Sequence, residues 1–154
     1  MTTKPIAFTL RNSYSPQDPD TIVAIENECF PEGKRYSAEL LRYLFESSDS
    51  IFFIAQHDAT IVGFILADMK NAPEGYISTL DVTENFRKKR VASKLLSAVE
   101  SAFTERHCKQ IMLEVAIDNK AAIGLYEKAG YSKAGKKQKF YSDHTDAFVL
   151  KKSL

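Results

Sequence analysis

The chain has 154 residues, of which 44% are hydrophobic, and its formal net charge is +1 at pH 7. This length allows one domain with a sizeable core, and the near-neutral charge excludes a global electrostatic attraction to nucleic acid. The two cysteines lack the ligand spacing of a zinc site and the longest apolar run, residues 61–67, is too short to span a bilayer, so we expect a cytoplasmic protein without a metal.

The first half of the chain predicts a strand, two helices and three further strands. Pro31 stops the helical apolar spacing that starts at Ile22, and Ser37 is placed to cap the second helix. The hairpin turn of the second and third strands is expected at residues 57–59. The strands of this half are expected at residues 6–11, 51–56, 60–69 and 75–82.

In the second half, helices and strands alternate before two final strands. Such alternation implies a parallel strand pair joined by a right-handed crossover. The coarse prediction is therefore a three-layer α/β domain with a mixed sheet whose antiparallel strands come first. The elements are expected at residues 90–106 (helix), 109–116 (strand), 119–129 (helix), 131–138 (strand) and 146–151 (strand).

A basic segment connects the strand at 75–82 to the next helix. Arg87, Lys88, Lys89 and Arg90 lie where that helix begins. Backbone N–H groups at a helix start have no partner within the helix, and together with the helix dipole they attract anions. Basic residues at a solvent-exposed helix start are common and do not by themselves indicate a site. Because this helix follows them here, they favour a phosphate-binding turn.

Glu114 and Tyr126 are the side chains expected to move protons. Glu114 shares a strand face with Met112 and Ala116, so it is either an ordinary solvated charge or part of a site between covering helices. Tyr126 lies on the apolar spacing of a helix, where most tyrosines are core residues. A carboxylate and a phenol that follow a phosphate-binding turn favour an acyl-transfer enzyme.

Several motifs, in this order, resemble those of the GNAT acetyltransferases, and within that family the chain is most similar to the bacterial ribosomal-protein N-terminal acetyltransferases and their archaeal relatives. The resemblance implies one N-acetyltransferase domain over residues 1–154, with about seven strands, about four helices and splayed parallel strands four and five. The motifs are Arg87-x-x-Arg90-x-Ala92, Leu113-Glu-Val115, Asn119-x-x-Ala122-x-x-Leu125-Tyr126-x-x-Ala-Gly130-Tyr131 and Phe140-Tyr141-Ser-Asp143-x-x-Asp146-Ala147.

The resemblance also implies acetyl-CoA as cosubstrate, bound between the two splayed strands. In the family, the strand backbone pairs with the pantetheine arm, the basic turn holds the pyrophosphate, the asparagine orients the arm and the tyrosine lies near the sulfur. An extended arm that carries amides can complete a sheet edge left open by a splay. The matching residues are Leu80, Asp81, Val82, Arg87, Lys88, Lys89, Arg90, Val91, Ala92, Ser93, Asn119 and Tyr126.

One position departs from the family pattern. Arg90 stands where the family usually has the first glycine of its turn, and a long side chain there must swing clear of a bound ligand. Its charge partly compensates for this. Tyr141 matches a family tyrosine that contacts the incoming peptide backbone, although an aromatic pair at a strand end is also typical of packing. Glu32 is similar to the glutamate of a Pro-Glu segment in the archaeal relatives and is either a second candidate base or an ordinary loop acid.

The resemblance implies direct acetyl transfer to the N-terminal α-amine of a protein or peptide, with Glu114 as general base and Tyr126 as general acid. An α-amine has a pKa of roughly 8 and a lysine side chain about 10.4, so deprotonating the lysine costs about 3 kcal/mol more near neutrality. Neither cysteine is expected to act as a nucleophile. A monomer or homodimer without nucleic-acid or membrane partners is expected.

Three alternatives stay open at this point. Within the enzyme class, the acceptor is a lysine side chain or a small amine. In a second class, the chain is a CoA-binding regulator that has lost turnover, which Glu114 and Tyr126 argue against. In a third, the basic turn binds RNA or DNA. Such a site ordinarily has aromatic side chains interleaved with its basic residues, and Phe86 is the one aromatic residue near this turn.

Overall fold

The computed structural model describes residues 6–154. Within them, the order of helices and strands is the predicted one, with shifts of a few residues at the ends. The elements are β1 (Thr9–Arg11), α1 (Asp18–Cys29), α2 (Ala38–Glu46), β2 (Ser50–His57), β3 (Thr60–Asp68), β4 (Glu74–Val82), α3 (Val91–Glu105), β5 (Gln110–Ala116), α4 (Lys120–Lys128), β6 (Ser132–Lys137) and β7 (Ala147–Ser153).

The strands form one sheet in the order β1-β2-β3-β4-β5-β7-β6. Of its neighbouring pairs, β4 and β5 run parallel and the other pairs are antiparallel. Helix α3 makes the crossover between the two parallel strands. The predicted mixed α/β fold is therefore confirmed.

The parallel strands pair only at their first residues. Their register runs from Glu74 opposite Gln110 to Tyr76 opposite Met112 and goes no further. After Ile77, the register of β4 against β3 slips by one residue, which makes Ser78 an additional residue in β4. Such a bulge bends its strand. The bend accounts for the separation of β4 from β5, and the predicted splay is present.

Helices cover both faces of the sheet and bury two hydrophobic clusters. On one face, α3 contributes Leu95, Val99 and Phe103 to the larger cluster. On the other face, α1 and α2 contribute Ile22 and Leu41 to the smaller one. Because the sheet is covered on both faces, a charged side chain on β4 or β5 is either buried or enclosed in a site.

Helix α1 begins earlier than its apolar spacing indicates. The sequence predicts a turn over residues 15–20, whereas the helix starts at Asp18 and has Pro19 in its first turn. Proline is favoured there because the first helical N–H groups have no partner anyway. Asp18 also accepts two hydrogen bonds from the guanidinium of Arg11, at 2.8 and 2.9 Å, which ties the helix to β1.

Across residues 6–154, no helix combines the length and apolarity needed to cross a membrane.

Candidate active site

A cavity of about 550 Å³ lies where β4 and β5 separate. Its walls come from both strands, from the loop after α1, from the start of α4 and from the loop between β6 and β7. Five of the residues singled out from the sequence line it together: Leu80, Glu114, Asn119, Tyr126 and Tyr141. The structure thus brings the candidate acid, the candidate base and the open strand edge into one space.

The edge of β4 that faces the gap has no partner strand beyond Tyr76. Thr83 N–H donates to Val62 O on β3 at 2.9 Å. Since backbone groups alternate in direction along a strand, Leu80 and Val82 point their N–H groups the other way, towards the gap. Asp81, opposite Phe64 and two residues before Thr83, points its N–H group towards β3. Leu80 and Val82 therefore offer the hydrogen bonds of a missing strand.

The basic turn at the start of α3 has a series of backbone N–H groups without hydrogen-bond acceptors among the described residues. Lys88 and Arg90 have φ angles of 59° and 68°, in the left-handed region. Among the described residues, the backbone N–H groups from residue 88 to residue 93 have no acceptor, and α3 has no side-chain cap. Successive amides around such left-handed residues form an anion-binding concavity. Arg90 thus follows the loop path that a glycine would take.

We expect the Arg90→Gly variant to be more stable than the wild type by about 1 kcal/mol, because a left-handed conformation costs an L-residue about 1–2 kcal/mol and glycine recovers part of that. Lys89→Gly is the matched control, since Lys89 has no positive φ. It should lose stability. Urea unfolding of the ligand-free variants measures both, and a loss in Arg90→Gly equal to that of the control contradicts the assigned backbone.

Glu114 is enclosed, with two hydrogen-bond donors on its carboxylate. Its side chain is 5% exposed, and Lys137 Nζ donates to Oε1 at 2.8 Å. The hydroxyl of Tyr76 donates to Oε2 at 2.5 Å. Burial, together with this hydrogen bond, raises the pKa of Tyr76, so its hydroxyl stays protonated. The carboxylate is thus held in one orientation at the cavity wall.

Tyr126 is buried beside the cavity with its ring against Tyr131, at a centroid distance of 5.4 Å. Burial is the main cause that raises the pKa of Tyr126, and the nearby Asp81 adds to it. Within residues 6–154 its hydroxyl makes no hydrogen bond. The phenol is therefore protonated and has a proton to offer to a ligand in the cavity.

Asn119 and Tyr141 line the cavity at the open end of β5. The side-chain oxygen of Asn119 accepts the N–H of Ala122 at 3.2 Å and caps α4. This leaves its amide NH₂ group available to a ligand. Burial raises the pKa of Tyr141, with the charge of Glu114 as the next cause, so Tyr141 is a hydroxyl donor near the candidate base.

The predicted residues of the basic turn do not line this cavity, and neither do Val82, Glu32 and Asp81. Glu32 is exposed, although its neighbours Pro31 and Gly33 line the cavity. Asp81 is 1% exposed and lies behind β4, against Glu26 of α1. Their predicted roles stay predictions.

Two loops that border the cavity are joined to each other. Ser142 N–H donates to Gly33 O at 3.0 Å, and Lys34 pairs with Asp143 at 2.5 Å. The hydrogen bond from Lys34 lowers the pKa of Asp143 to about 2. A Cβ at Gly33 would lie 2.9 Å from Asp143 Cβ, and its φ is 95°, so this position requires glycine. The two loops are thereby held against each other at the border of the cavity.

Cys29 reaches the end of β4 but is poorly suited to nucleophilic attack. Its thiol donates to Val82 O at 3.4 Å, and Arg87 Nε donates to the same oxygen at 3.0 Å. Burial raises the pKa of Cys29 to about 11, so the thiolate is scarce at neutral pH. Burial also raises the pKa of Cys108.

Sequence reasoning missed Tyr76 and Lys137, the two partners of Glu114. Tyr76 is opposite Met112 in the parallel register, which places it diagonally across from Glu114. Tyrosine on the strand next to a candidate base was a usable signal, but only once the register was known. Lys137 lies in a run of lysines on β6, where nothing in the sequence distinguishes it.

Comparison with known proteins gives a consistent result. The sequence model of the acetyltransferase (GNAT) family matches residues 20–131. An N-alpha-acetyltransferase of Saccharolobus solfataricus is 31% identical, over 96% of this chain and 93% of that protein. Ard1 from Thermoplasma volcanium is similar in structure, with a TM-score of 0.87 and 27% identity over 97% of this chain and 99% of that one. The ribosomal-protein-S18-alanine N-acetyltransferase from Escherichia coli has a TM-score of 0.83 at 19% identity, over 96% and 94%.

Proposed function

The chain belongs to the acetyltransferase (GNAT) family, and we propose that it transfers the acetyl group of acetyl-CoA directly to the N-terminal α-amine of a protein or peptide. One observation carries the proposal. Free amides lie in the basic turn that follows β4, and an enclosed carboxylate lines the cavity where β4 and β5 separate. The name of the Saccharolobus solfataricus relative supports the N-terminal acceptor.

The residues around the gap fit acetyl-CoA. The amides of residues 88–93 suit a pyrophosphate, and the side chains of Lys88, Lys89 and Arg90 add positive charge. Leu80 and Val82 suit the amides of the pantetheine arm. An arm that bonds to Val82 O replaces the guanidinium of Arg87 there, which frees that side chain for the phosphates.

The enclosure of Glu114 favours an acceptor at a chain terminus. Because its side chain is 5% exposed and the bordering loops are joined, an amine reaches it only on a thin, extended segment. A free N-terminus has that form. An α-amine also has a pKa of roughly 8, against about 10.4 for lysine, so it is easier to deprotonate. We propose that Tyr141, which lines the cavity, and Glu32, whose neighbours Pro31 and Gly33 line it, contact the acceptor from the two loops.

The chemistry that follows is direct transfer without an acyl-enzyme. Glu114 accepts a proton from the attacking nitrogen, through water where the amine does not touch it. The N–H of Leu80 polarises the acetyl carbonyl. Tyr126 keeps its proton until the thiolate leaves and then donates to the sulfur. The raised pKa of Cys29 supports this route over a cysteine nucleophile.

The test is acetylation of matched peptides with labelled acetyl-CoA. One peptide has a free α-amine and no lysine, and its partner has a blocked N-terminus and one lysine. We expect label on the first peptide and at least tenfold less on the second. Label on the lysine peptide alone would transfer the proposal to side-chain acetylation, and label on neither with acetyl-CoA bound would favour a regulator. Varying the first two residues of the accepted peptide then defines its preference.

We further propose that residues 1–154 form one N-acetyltransferase domain that acts in the cytoplasm as a monomer or homodimer, with ribosomal proteins among its acceptors. Cys29 and Cys108 are both free thiols, which supports a reducing compartment. The Escherichia coli enzyme of the same fold supports the acceptor class.

A further inference from the structure

A group of three polar side chains is buried between α1 and β4, beside the cavity. Glu26, Thr79 and Asp81 are 1%, 6% and 1% exposed. The Thr79 hydroxyl lies 3.0 Å from Glu26 Oε1 and 2.6 Å from Asp81 Oδ1. Burying two charged carboxylates in such a place costs free energy. The mechanism described above assigns a role to neither group.

Counting hydrogens shows that the group holds an extra proton. A threonine hydroxyl has one hydrogen, so Thr79 can donate to one carboxyl only. At these distances, the second contact requires a proton on a carboxyl. The N–H of Tyr36 donates to Glu26 Oε2 at 2.8 Å, whereas Asp81 Oδ2 has no partner among residues 6–154. Glu26 is therefore the carboxylate and Asp81 the acid.

The charged groups that surround the pair agree with this assignment. Burial raises the pKa of Asp81 well above its usual range, and the proximity of Glu26 adds to the shift. Burial also keeps Cys29 and Tyr126 protonated. Arg87, in the turn before α3, acts in the opposite direction and lowers the pKa of Asp81, but by less than burial and Glu26 raise it. Burial raises the pKa of Tyr36 to about 12, so this neighbour of Glu26 is neutral as well.

The proposed reaction requires a second proton acceptor, and such a carboxylate can fill this role. An α-amine arrives mainly as an ammonium with three N–H bonds and leaves as an amide with one, so two protons must be removed. One leaves before attack, to free the lone pair, and the other leaves as the C–N bond forms and the C–S bond breaks. Glu114 accounts for one of them. Glu26 and Thr79 line the same cavity as Glu114.

We propose that Glu26 accepts the proton of the entering ammonium. Thr79 donates a hydrogen bond to the Glu26 carboxylate, and the protonated Asp81 donates to Thr79. The step converts an ammonium and the Glu26 carboxylate into a free amine and a carboxylic acid. The amine then attacks the acetyl carbonyl, Glu114 takes the second proton, and the departing thiolate takes one from Tyr126. The proton on Glu114 then passes through water to the Tyr126 phenolate, and Glu26 returns its own proton to solvent, so that every group is restored. This inference rests on the proposed function.

The first test compares Glu26→Gln with Glu28→Gln, an exposed residue of the same helix, in the full chain. For a peptide with a free α-amine, we expect kcat/KM of Glu26→Gln to fall at least tenfold at pH 7, and the deficit to shrink above about pH 8, where the amine is already free. Glu28→Gln should follow the wild type. A deficit that is equal at every pH, or none, overturns the proposal.

The second test measures the Asp81 proton without using activity. A carboxyl whose pKa is raised on folding stabilises the protein below its unfolded pKa of about 3.9, and this contribution is lost as the pH rises through the raised value. In thermal unfolding, the wild-type protein should therefore lose more stability from pH 4 upwards than the Asp81→Asn variant does. This variant keeps the hydrogen bond to Thr79. Identical pH dependences would overturn the assignment of the proton.

These tests separate the inference from the function. If the wild type acetylates no peptide α-amine, the proposed function fails, while the Asp81 measurement stays valid. If the wild type is active and Glu26→Gln keeps its rate and pH profile, the function stands and the role of Glu26 is overturned.

Discussion

Replacing Glu114 by glutamine should lower kcat by about a hundredfold or more and leave the affinity for acetyl-CoA unchanged. Glutamine keeps the shape of the side chain and still accepts the hydrogen bond from Tyr76, but it cannot take a proton from the attacking nitrogen. The proposed cosubstrate contacts lie elsewhere, at Leu80, at Val82 and in the turn at 88–93. Steady-state kinetics with a peptide acceptor, together with calorimetric titration of acetyl-CoA, measure the two quantities.

Glu74→Gln is the matched control. Glu74 lies on the same pair of parallel strands, but at their closed end, where Gln110 donates to it at 2.7 Å. Turnover should be unaffected there. Near-normal turnover in Glu114→Gln would remove Glu114 from the mechanism and move the role of base to Glu32 or to water.

Replacing Tyr126 by phenylalanine should lower kcat by roughly ten- to a hundredfold, because the departing thiolate loses its proton donor. The free energy of unfolding should change little. The hydroxyl of Tyr126 has no hydrogen bond to lose within the described chain, and the ring still packs against Tyr131. Kinetics with a saturating acceptor and urea unfolding measure the two effects.

Tyr131 provides the opposite control. Its hydroxyl donates to Glu100 Oε2 at 2.9 Å and ties the start of β6 to α3, away from the cavity. Tyr131→Phe should therefore lose about 1 kcal/mol of stability and keep its turnover. If Tyr126→Phe instead loses stability and keeps its turnover, Tyr126 is a core residue and has no chemical role.

The fold was predictable because each element carries its own local signal. Ser37 does cap α2, where its hydroxyl accepts the N–H of Leu40 at 3.1 Å. The start of α1 was missed because Pro19 reads as a turn residue when its position in the first helical turn is unknown. The splay was expected from the family resemblance, but its cause was not, since no glycine or proline marks the bulge at Ser78.

The candidate site was predictable where it depends on spacing within one element, and not where it depends on contact between elements. The period of a strand placed Glu114 correctly, while its partner Tyr76 required the register of β4 against β5. A signal for Glu26 was present: it follows Ile22 by one helical turn, so a charge falls on the buried face of α1. Its partners across the sheet needed the tertiary structure.

The left-handed conformation of Arg90 shows a different limit. The side chain alone suggested a disturbed turn, yet the backbone takes the path expected of glycine. This left-handed conformation raises the local conformational free energy, which a sequence pattern does not show.

A crystal structure of the protein with acetyl-CoA tests the central claim most directly. The claim is that the gap between β4 and β5 is the binding site of the thioester. We predict pantetheine amides hydrogen-bonded to Leu80 and Val82, a pyrophosphate on the amides of residues 88–93, and the acetyl carbon within the cavity that Glu114 and Tyr126 line. Acetyl-CoA bound elsewhere, with the two strand ends closed against each other, would contradict it.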